Sequence, residues 1–276
     1  MLLGTSGSVR AMTRSSNVIK RILQNLAAVG PPLPRTMKKL LVLALLIVCA
    51  SQAISDVPEK TGSTFVFARV QFNMDRRWIF DYREAPWHHD YPFSEDLFLT
   101  MVNEVTGIHT TRESYKIVQL DSQDIFSYPW VYISEPGYLS LTPKEITNFR
   151  DYLNRGGFVV CDDFRGRDLD VLRFEMRKVL PGQEMFKLDV SHPVFHSFYD
   201  IQSLVMEPPY YDARFLGGKP EFWGMNDEKG RLIMVANQNN DLGEFMEDVD
   251  HGDKPFKWAA LSVKLMVNYL VYAMTH

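Results

Sequence analysis

The chain has 276 residues, 46% hydrophobic and 23% charged, an ordinary globular composition long enough for one sizeable core. Seven of its 30 basic residues (Arg10, Arg14, Lys20, Arg21, Arg35, Lys38 and Lys39) precede residue 54, with no acidic residue among them, leaving 23 basic against 34 acidic beyond it. That acidic body repels phosphate backbones, so nucleic acid is not an expected partner.

The first segment with a clear signature is "MKKLLVLALLIVCASQA", from Met37 to Ala53. Two lysines, a short apolar run and an exit of small residues make a secretory signal cleaved after Ala53, which places the mature chain in the periplasm or outside the cell. The run Leu40–Ala50 is shorter than the ~20 apolar residues that span a bilayer. The alternative is an uncleaved signal that anchors the chain, and membrane contact is expected through this segment only. Residues 1–36 read as a mis-assigned start or a presequence, 54–63 as a linker and 64–276 as a single α/β domain. Cys49 leaves with the signal, so the mature chain keeps Cys161 alone and forms no internal disulfide.

"TFVFARVQF" (64–72) is rich in β-formers and reads as a first strand. "SEDLFLTMVNEVTG" follows as a helix, with Ser94 as its N-cap and Gly107 at its end. "YKIVQL" and "WVYISE" are two further strands. "LTPKEITNFRDYLNRGG" carries Thr142 as N-cap, Pro143 at the first helical position and Glu145 three residues after the cap, a capping box with a pre-set first turn. "FVVCDD" comes directly after Gly156 and Gly157. A continuous apolar strand straight after a helix is buried on both faces, as in a parallel sheet. "DLDVLRFEMRKVLPG" is a helix stopped by Pro181 and Gly182. "PEFWGMNDEKGRLIMVAN" alternates as a hairpin around Glu228, Lys229 and Gly230, and "FKWAALSVKLMVNYLVYAMTH" is a long apolar-faced helix. The order predicts an α/β fold: a doubly wound, mainly parallel sheet with helices on both faces and a late antiparallel hairpin.

In such sheets ligands sit beyond the carboxyl ends of the strands. Residues that follow the proposed strands are therefore the candidate ligand-binding set: Trp87, His88, His89, Asp90 and Tyr91 after the first, and Glu135 after the third. Asp162, Asp163 and Arg165 follow the fourth, and Asn240 and Asp241 the last. Gathered carboxylates raise one another's pKa or attract a cation, and Trp and Tyr beside acids suit a sugar. The loop 85–96 has a second reading as a packed turn that bonds its own backbone. No dedicated ligand spacing is present, so no metal and no cofactor are expected.

His192 and His196 are four apart, but Pro193 puts His192 in a turn and no intervening Glu makes a zinc motif. "EDVDHGD", with His251, reads as a solvated acidic loop. No G-x-S-x-G occurs in the mature chain, and Cys161, inside a strand and beside two acids, is an inert core thiol. Neither G-x-x-x-x-G-K-[ST] nor G-x-G-x-x-G is present, which removes nucleotide binding by those loops. No catalytic residue is assigned.

As a set, "FVFARVQF", the W-x-x-D-Y-P of Trp87 to Pro92, "GGFVVCDDF", "HPVFHSF", the G-x-x-x-x-x-G-R of Gly224 to Arg231, the pair Asn240-Asp241 and the final "VNYLVYAMT" resemble a bacterial family of unknown function. The resemblance covers about residues 64–275. It implies a class I glutamine-amidotransferase-like (flavodoxin-like) fold, an envelope or secreted location, and genes often near those of MoxR-type ATPases and von Willebrand A proteins. True amidotransferases carry a G-x-C-x-G elbow and a later H-x-E. Here "VVCDDF" has no flanking glycines and no H-x-E follows, so glutaminase activity is not expected. Two functions remain: a non-catalytic module that binds a glycan or a protein at the strand-end rim, and an envelope hydrolase acting on a glycan or with a metal. The hydrolase would use Asp162 or Asp163 as base and His88 or His89 as acid or metal ligand. The absence of a recognised catalytic constellation favours the binding module.

Overall fold

The computed structural model describes residues 64–74, 85–206, 218–247 and 255–276. All lie in the unit Gly62–His276. The expected signal segment, the linker and the His251 loop fall outside the described residues. Seven strands form one sheet: β1 (Phe67–Gln71), β2 (Tyr115–Gln119), β3 (Trp130–Ser134), β4 (Phe158–Phe164), β5 (Met185–Lys187), β6 (Glu221–Asn226) and β7 (Leu232–Gln238). Their spatial order is β2-β1-β3-β4-β7-β6-β5. The pairs β1·β2, β1·β3, β3·β4 and β4·β7 are parallel, while β6 runs antiparallel to β7 and to β5. This is the doubly wound, mainly parallel sheet with a late hairpin that the sequence order predicts.

Five helices are described: α1 (Phe93–Val105), α2 (Pro143–Asn154), α3 (Asp168–Val179), α4 (Leu242–Glu247) and α5 (Phe256–Thr275). Strand side chains alternate between two cores because successive Cβ atoms point to opposite faces. Phe67, Trp130, Tyr132, Phe158 and Val160 pack with Phe98 and Leu99 of α1, Phe245 of α4 and Met266 and Leu270 of α5. Ala68, Val70, Val131, Ile133, Val159 and Cys161 face the other way, onto Phe149 and Leu153 of α2 and Leu172 and Met176 of α3. Both faces are covered, which is why β3, β4 and β7 are buried along their whole length. The first core is aromatic: the ring of Phe67 lies edge-on to Phe98 at 5.7 Å and to Trp130 at 4.9 Å. Removing a wholly buried ring such as Trp130 destabilises by about 3–5 kcal/mol.

Helix ends largely follow the sequence rules. Thr142 caps α2 with the complete capping box: its Oγ1 accepts from Glu145 N at 3.3 Å and Glu145 Oε2 accepts from Thr142 N at 2.8 Å. The hairpin turn holds Gly230 at φ +80, with Asp227 Oδ1 accepting from Lys229 N and Arg231 N, both at 2.9 Å.

Two expectations change. α1 begins at Phe93, without a side-chain cap, and Ser94 lies inside the helix. The Ser94 hydroxyl accepts from Arg69 Nη2 at 3.2 Å and donates to Glu95 Oε2 at 3.0 Å, so a buried cation draws it away from capping. Strand β5, three residues long and too short for a readable pattern, adds an outer strand to the hairpin. Among the described residues no helix is long and apolar enough to cross a membrane.

Candidate functional site

The chain passes from β1 to β2 on one side and returns to β3 on the other, so the sheet order reverses at β1. The loops leaving β1 and β3 diverge to opposite faces and open a crevice, the usual ligand position in such sheets. His89 and Asp90 come from the first loop and Glu135 from the second. Asp163 and Arg165 end β4, and Asp241 follows β7.

Arg69 holds the first loop in place. It sits in the middle of β1 with no exposed surface and is ion-paired with Glu95 of α1. Its Nη1 donates to the carbonyls of Trp87 at 3.2 Å and His89 at 2.6 Å. The guanidinium lies over the ring of Tyr132, 4.9 Å from its centre. One strand cation thus fixes the start of α1 and the backbone of His89.

Beside it runs a buried polar row. Asp162 Oδ2 accepts from Tyr132 Oη at 2.9 Å and from Gly243 N at 3.0 Å, and its Oδ1 accepts from Asn237 Nδ2 at 2.9 Å. Tyr269 Oη of α5 donates to Asn237 Oδ1 at 3.1 Å. Burial pushes the Asp162 carboxyl up to about 6, against its hydrogen bonds. Its donors secure the start of α4 to β4, so Asp162 works as an internal anchor and does not line the crevice.

Its neighbour Asp163 turns into a cluster. Its Oδ2 lies 2.7 Å from His89 Nδ1, and Arg165 Nη1 is 2.8 Å from its Oδ1. His89 Nδ1 is also 3.4 Å from Glu135 Oε1, and its Nε2 is 3.6 Å from Asp90 Oδ1. Arg165 Nη2 reaches Asp241 Oδ2 at 3.6 Å. Arg165 is steadied by its turn: its backbone N–H donates to Asp168 Oδ2 at 3.0 Å, and Gly166 N to Asn239 Oδ1 at 2.8 Å. Asp163 and Asp241 are fully buried, while the His89 side chain is 35% and that of Glu135 19% exposed, so the cluster opens to solvent on their side.

The charges are strongly biased. The hydrogen bond that His89 donates to Asp163 raises the imidazole to about 10 despite its partial burial, so it is a cation at neutral pH. Burial raises Asp90 to about 7, and burial with the Asp163 charge raises Glu135 to about 8. Asp241 is pushed well up by burial and by Asp163 and Asp90. Burial also works against an ionised Asp163, yet His89 and Arg165 hold it below its ordinary value. One ionised carboxylate is thus surrounded by acids that keep protons.

The backbone marks the same place. Among the described residues, the non-glycine residues at left-handed φ are Asp90 (+61), Glu135 (+48), Asp163 (+54) and Asn239 (+54). Three of the four supply carboxylates to the cluster. Left-handed backbone is tolerated by Asp and Asn but is uncommon for Glu. Gly243 completes the packing, since a Cβ there would lie 3.0 Å from Asp90 Oδ2 and 3.1 Å from Tyr132 Oη.

Of the candidate residues, His89, Asp90, Glu135, Asp163, Arg165 and Asp241 are brought together. Trp87, His88 and Tyr91 form a run of ring contacts, at 5.2 and 4.9 Å, that continues to Tyr115 of β2 at 5.5 Å. Asn240 is buried, its Nδ2 3.3 Å from Met206 Sδ and its Oδ1 accepting from Asp241 N at 3.1 Å. Cys161 is buried in β4, and burial raises its thiol. His196 is held by Asp200 at 2.5 Å and by the Val190 carbonyl at 2.7 Å.

Sequence reasoning missed Arg69, Glu95, Tyr132 and Gly243. It also missed Glu244 and Glu247, which with Asp90 make a second group of close carboxylates. A lone Arg within an apolar strand was the one available sign, because such a charge needs a partner.

No curated protein matches the sequence. The profile of a family described as "Domain of unknown function (DUF4159)" matches residues 66–274, which include the whole sheet and nearly all of α5. The chain belongs to that family.

Proposed function

We propose that this is an exported domain that binds a ligand at the carboxyl edge of its sheet without turning it over. The carrying observation is the convergence of three left-handed, acid-bearing residues from separate loops, Asp90, Glu135 and Asp163, on His89 and Arg165. Left-handed backbone and buried acids both oppose folding. Their concentration at the β1 switch point supports a binding role. The surplus of acids over bases favours a cationic ligand or one rich in hydroxyl donors. Export rests on the Met37–Ala53 pattern alone. The buried Cys161, with its raised thiol, supports the reading without turnover.

The test is a thermal-shift screen of the chain against cations, amines, sugars and cell-wall fragments, with Asp90→Asn alongside. A ligand at a hundredfold excess over its Kd stabilises by about 2.7 kcal/mol. A rise in melting temperature in the parent that is lost in Asp90→Asn is expected. No shift with any class in a cooperatively melting chain would sink the small-ligand reading and leave a protein partner.

One observation favours a second reading, the envelope hydrolase. Asp163 is held ionised while Glu135, grouped with it around His89, holds its proton to about 8, and such divergence is what acid–base pairs need. Turnover of a glycan or ester substrate that disappears in Glu135→Gln would establish it.

A further inference from the structure

The carboxyl edge of the sheet holds a second opening, which shares no residue with the His89 cluster. Strands β1 and β2 run parallel and in register, so Gln71 and Gln119, the last residues of each, stand side by side. β2 is the outermost strand of the sheet, which leaves that end open. At the two strand ends lies a cleft of about 300 Å³ lined by Gln71, Asn73, Gln119, Asp121, Thr142 and Glu145. Phe72 is the one apolar side chain in its lining. That volume is at the small end of the range for ligand sites.

Hydrogen bonds fix the walls. Asn73 N donates to Glu145 Oε1 at 2.8 Å, and Asn73 Nδ2 donates to the Ser140 carbonyl at 2.5 Å. Ser140 N donates in turn to the Asn73 carbonyl at 3.0 Å. Glu145 Oε2 accepts from Thr142 N and Oγ1, so one carboxylate joins the end of β1 to the start of α2. The cleft is therefore shaped before a ligand arrives, which spares the cost of ordering its walls.

The lining also selects by chemistry. Gln119 Nε2 donates to Gln71 Oε1 at 3.1 Å. Whichever way the two amides are turned, a pair joined by one bond keeps one NH2 group and one carbonyl for a ligand. Both Glu145 oxygens are engaged, and Asp121 Oδ2 lies 3.2 Å from Lys144 Nζ, so a cation gains little here. Glu145 also occupies the positive end of α2, where an anion would otherwise bind. No lysine or arginine is among the lining residues and two carboxylates are, which disfavours phosphates and other anions. One apolar side chain offers little to a hydrophobic ligand. A neutral molecule with adjacent hydroxyl groups donates and accepts together, as the amide pair requires.

We infer that this cleft binds one ring of a neutral saccharide, with the Gln71–Gln119 pair as its donor and acceptor. The site is additional to the rim proposed above. The test uses the full chain and ligand-detected NMR, in which a sugar that touches the protein takes up magnetisation from it and stability plays no part. Methyl β-glucoside is the probe, with glucose 6-phosphate as its charged counterpart. A Kd of about 1–10 mM is expected for the glucoside, as suits so small a contact, and weaker binding for the phosphate. Gln71→Ala and Gln119→Ala each remove half of the amide pair and weaken the glucoside about three- to tenfold. Gln119 is exposed, so Gln119→Ala is expected to fold, and circular dichroism confirms it. Glu184→Gln, on the exposed pair with Arg177, leaves binding unchanged.

No transfer at about 50 mM glucoside overturns the inference. Equal binding by the folded Gln119→Ala chain does so too, as does tighter binding of the phosphate. If the glucoside signal is lost in Asp90→Asn and kept in both glutamine variants, the sugar sits at the rim: the cleft falls and the ligand-binding reading stands. If the glutamine variants alone lose it, the cleft is established whether or not the rim takes a ligand.

Discussion

Arg69→Met removes a buried cation and keeps most of its volume, so its consequence is well bounded. The side chains of Arg69 and Glu95 are 1% and 0% exposed, and the variant leaves Glu95 as a lone buried charge. Breaking a buried pair from one side destabilises by about 3–5 kcal/mol. The carbonyls of Trp87 and His89 also lose their donor. Both are partly buried and within reach of water, so each adds about 1 kcal/mol, the low end for an orphaned acceptor. A total of about 5–7 kcal/mol lowers the melting temperature by roughly 10–28 °C in a domain of this size. Denaturant melts followed by tryptophan fluorescence measure it directly. Adding Glu95→Met to the same chain removes the stranded charge and restores about 3 kcal/mol, because an apolar pair of similar volume substitutes well for a buried ion pair. A loss under about 1 kcal/mol for Arg69→Met, or a double variant weaker than the single, would refute the reasoning.

Asp162→Ala strands Tyr132 Oη, Asn237 Nδ2 and the Gly243 N–H in a dry interior, and a loss of about 3–5 kcal/mol in urea melts is expected; a change below about 1 kcal/mol contradicts the anchor role. Gly243→Ala pushes a methyl against Asp90 and Tyr132, with an expected loss of about 1–3 kcal/mol in the same melts and displacement of Asp90 from the cluster. Thr142→Ala removes one half of the α2 capping box at about 1 kcal/mol, and a neutral result in those melts would show the cap to be idle. The chain is expected to lose stability as pH rises. Burial raises Asp90 from 3.8 to about 7 and Glu135 from 4.5 to about 8, and the Asp163 hydrogen bond raises His89 from 6.5 to about 10. A raised folded pKa gives stability that is present below the unfolded value and lost as pH climbs through the folded one, so the decline runs from about pH 4 to 8 for the acids and 6.5 to 10 for His89. Asp163, held low, acts oppositely and only at pH below its ordinary 3.8. Melting temperatures recorded from pH 5 to 9 test this, and a rising curve refutes it.

The parallel core was legible because its signals are local. Thr142, Pro143 and Glu145 announce α2 within four residues, and "FVVC" after two glycines announces a strand with no solvent face. β5 was not legible, since three residues carry no period and its place is set by pairing with β6. Ser94 had the right type for a cap, but the helix starts one residue before it and Arg69, 25 residues earlier, takes its hydroxyl. Among the candidate residues, strand-end logic found the six that cluster and also named five that have other contacts. Alternation explains Asp162: on a strand buried on both faces, neighbouring side chains enter opposite layers, and nothing local says which of two adjacent acids faces the crevice. The grouping of these side chains was invisible for a related reason. His89 and Asp90, Asp163 and Asp241 come from three separate segments, and a motif reader sees only donors within one.

The two residues at positions 161 and 163 of β4 show why fold and activity must be argued apart. Cys161 points into the layer of α2 and α3, buried among apolar neighbours, where its thiol is held protonated and no substrate reaches it. Asp163, two residues on, adopts left-handed backbone and meets His89 and Arg165, which hold its carboxyl below the ordinary value. The strand that in an elbow enzyme would present a nucleophile here presents a fixed negative charge, closed off from solvent. A fixed, enclosed anion surrounded by protonated acids is poorly placed to attack a carbonyl.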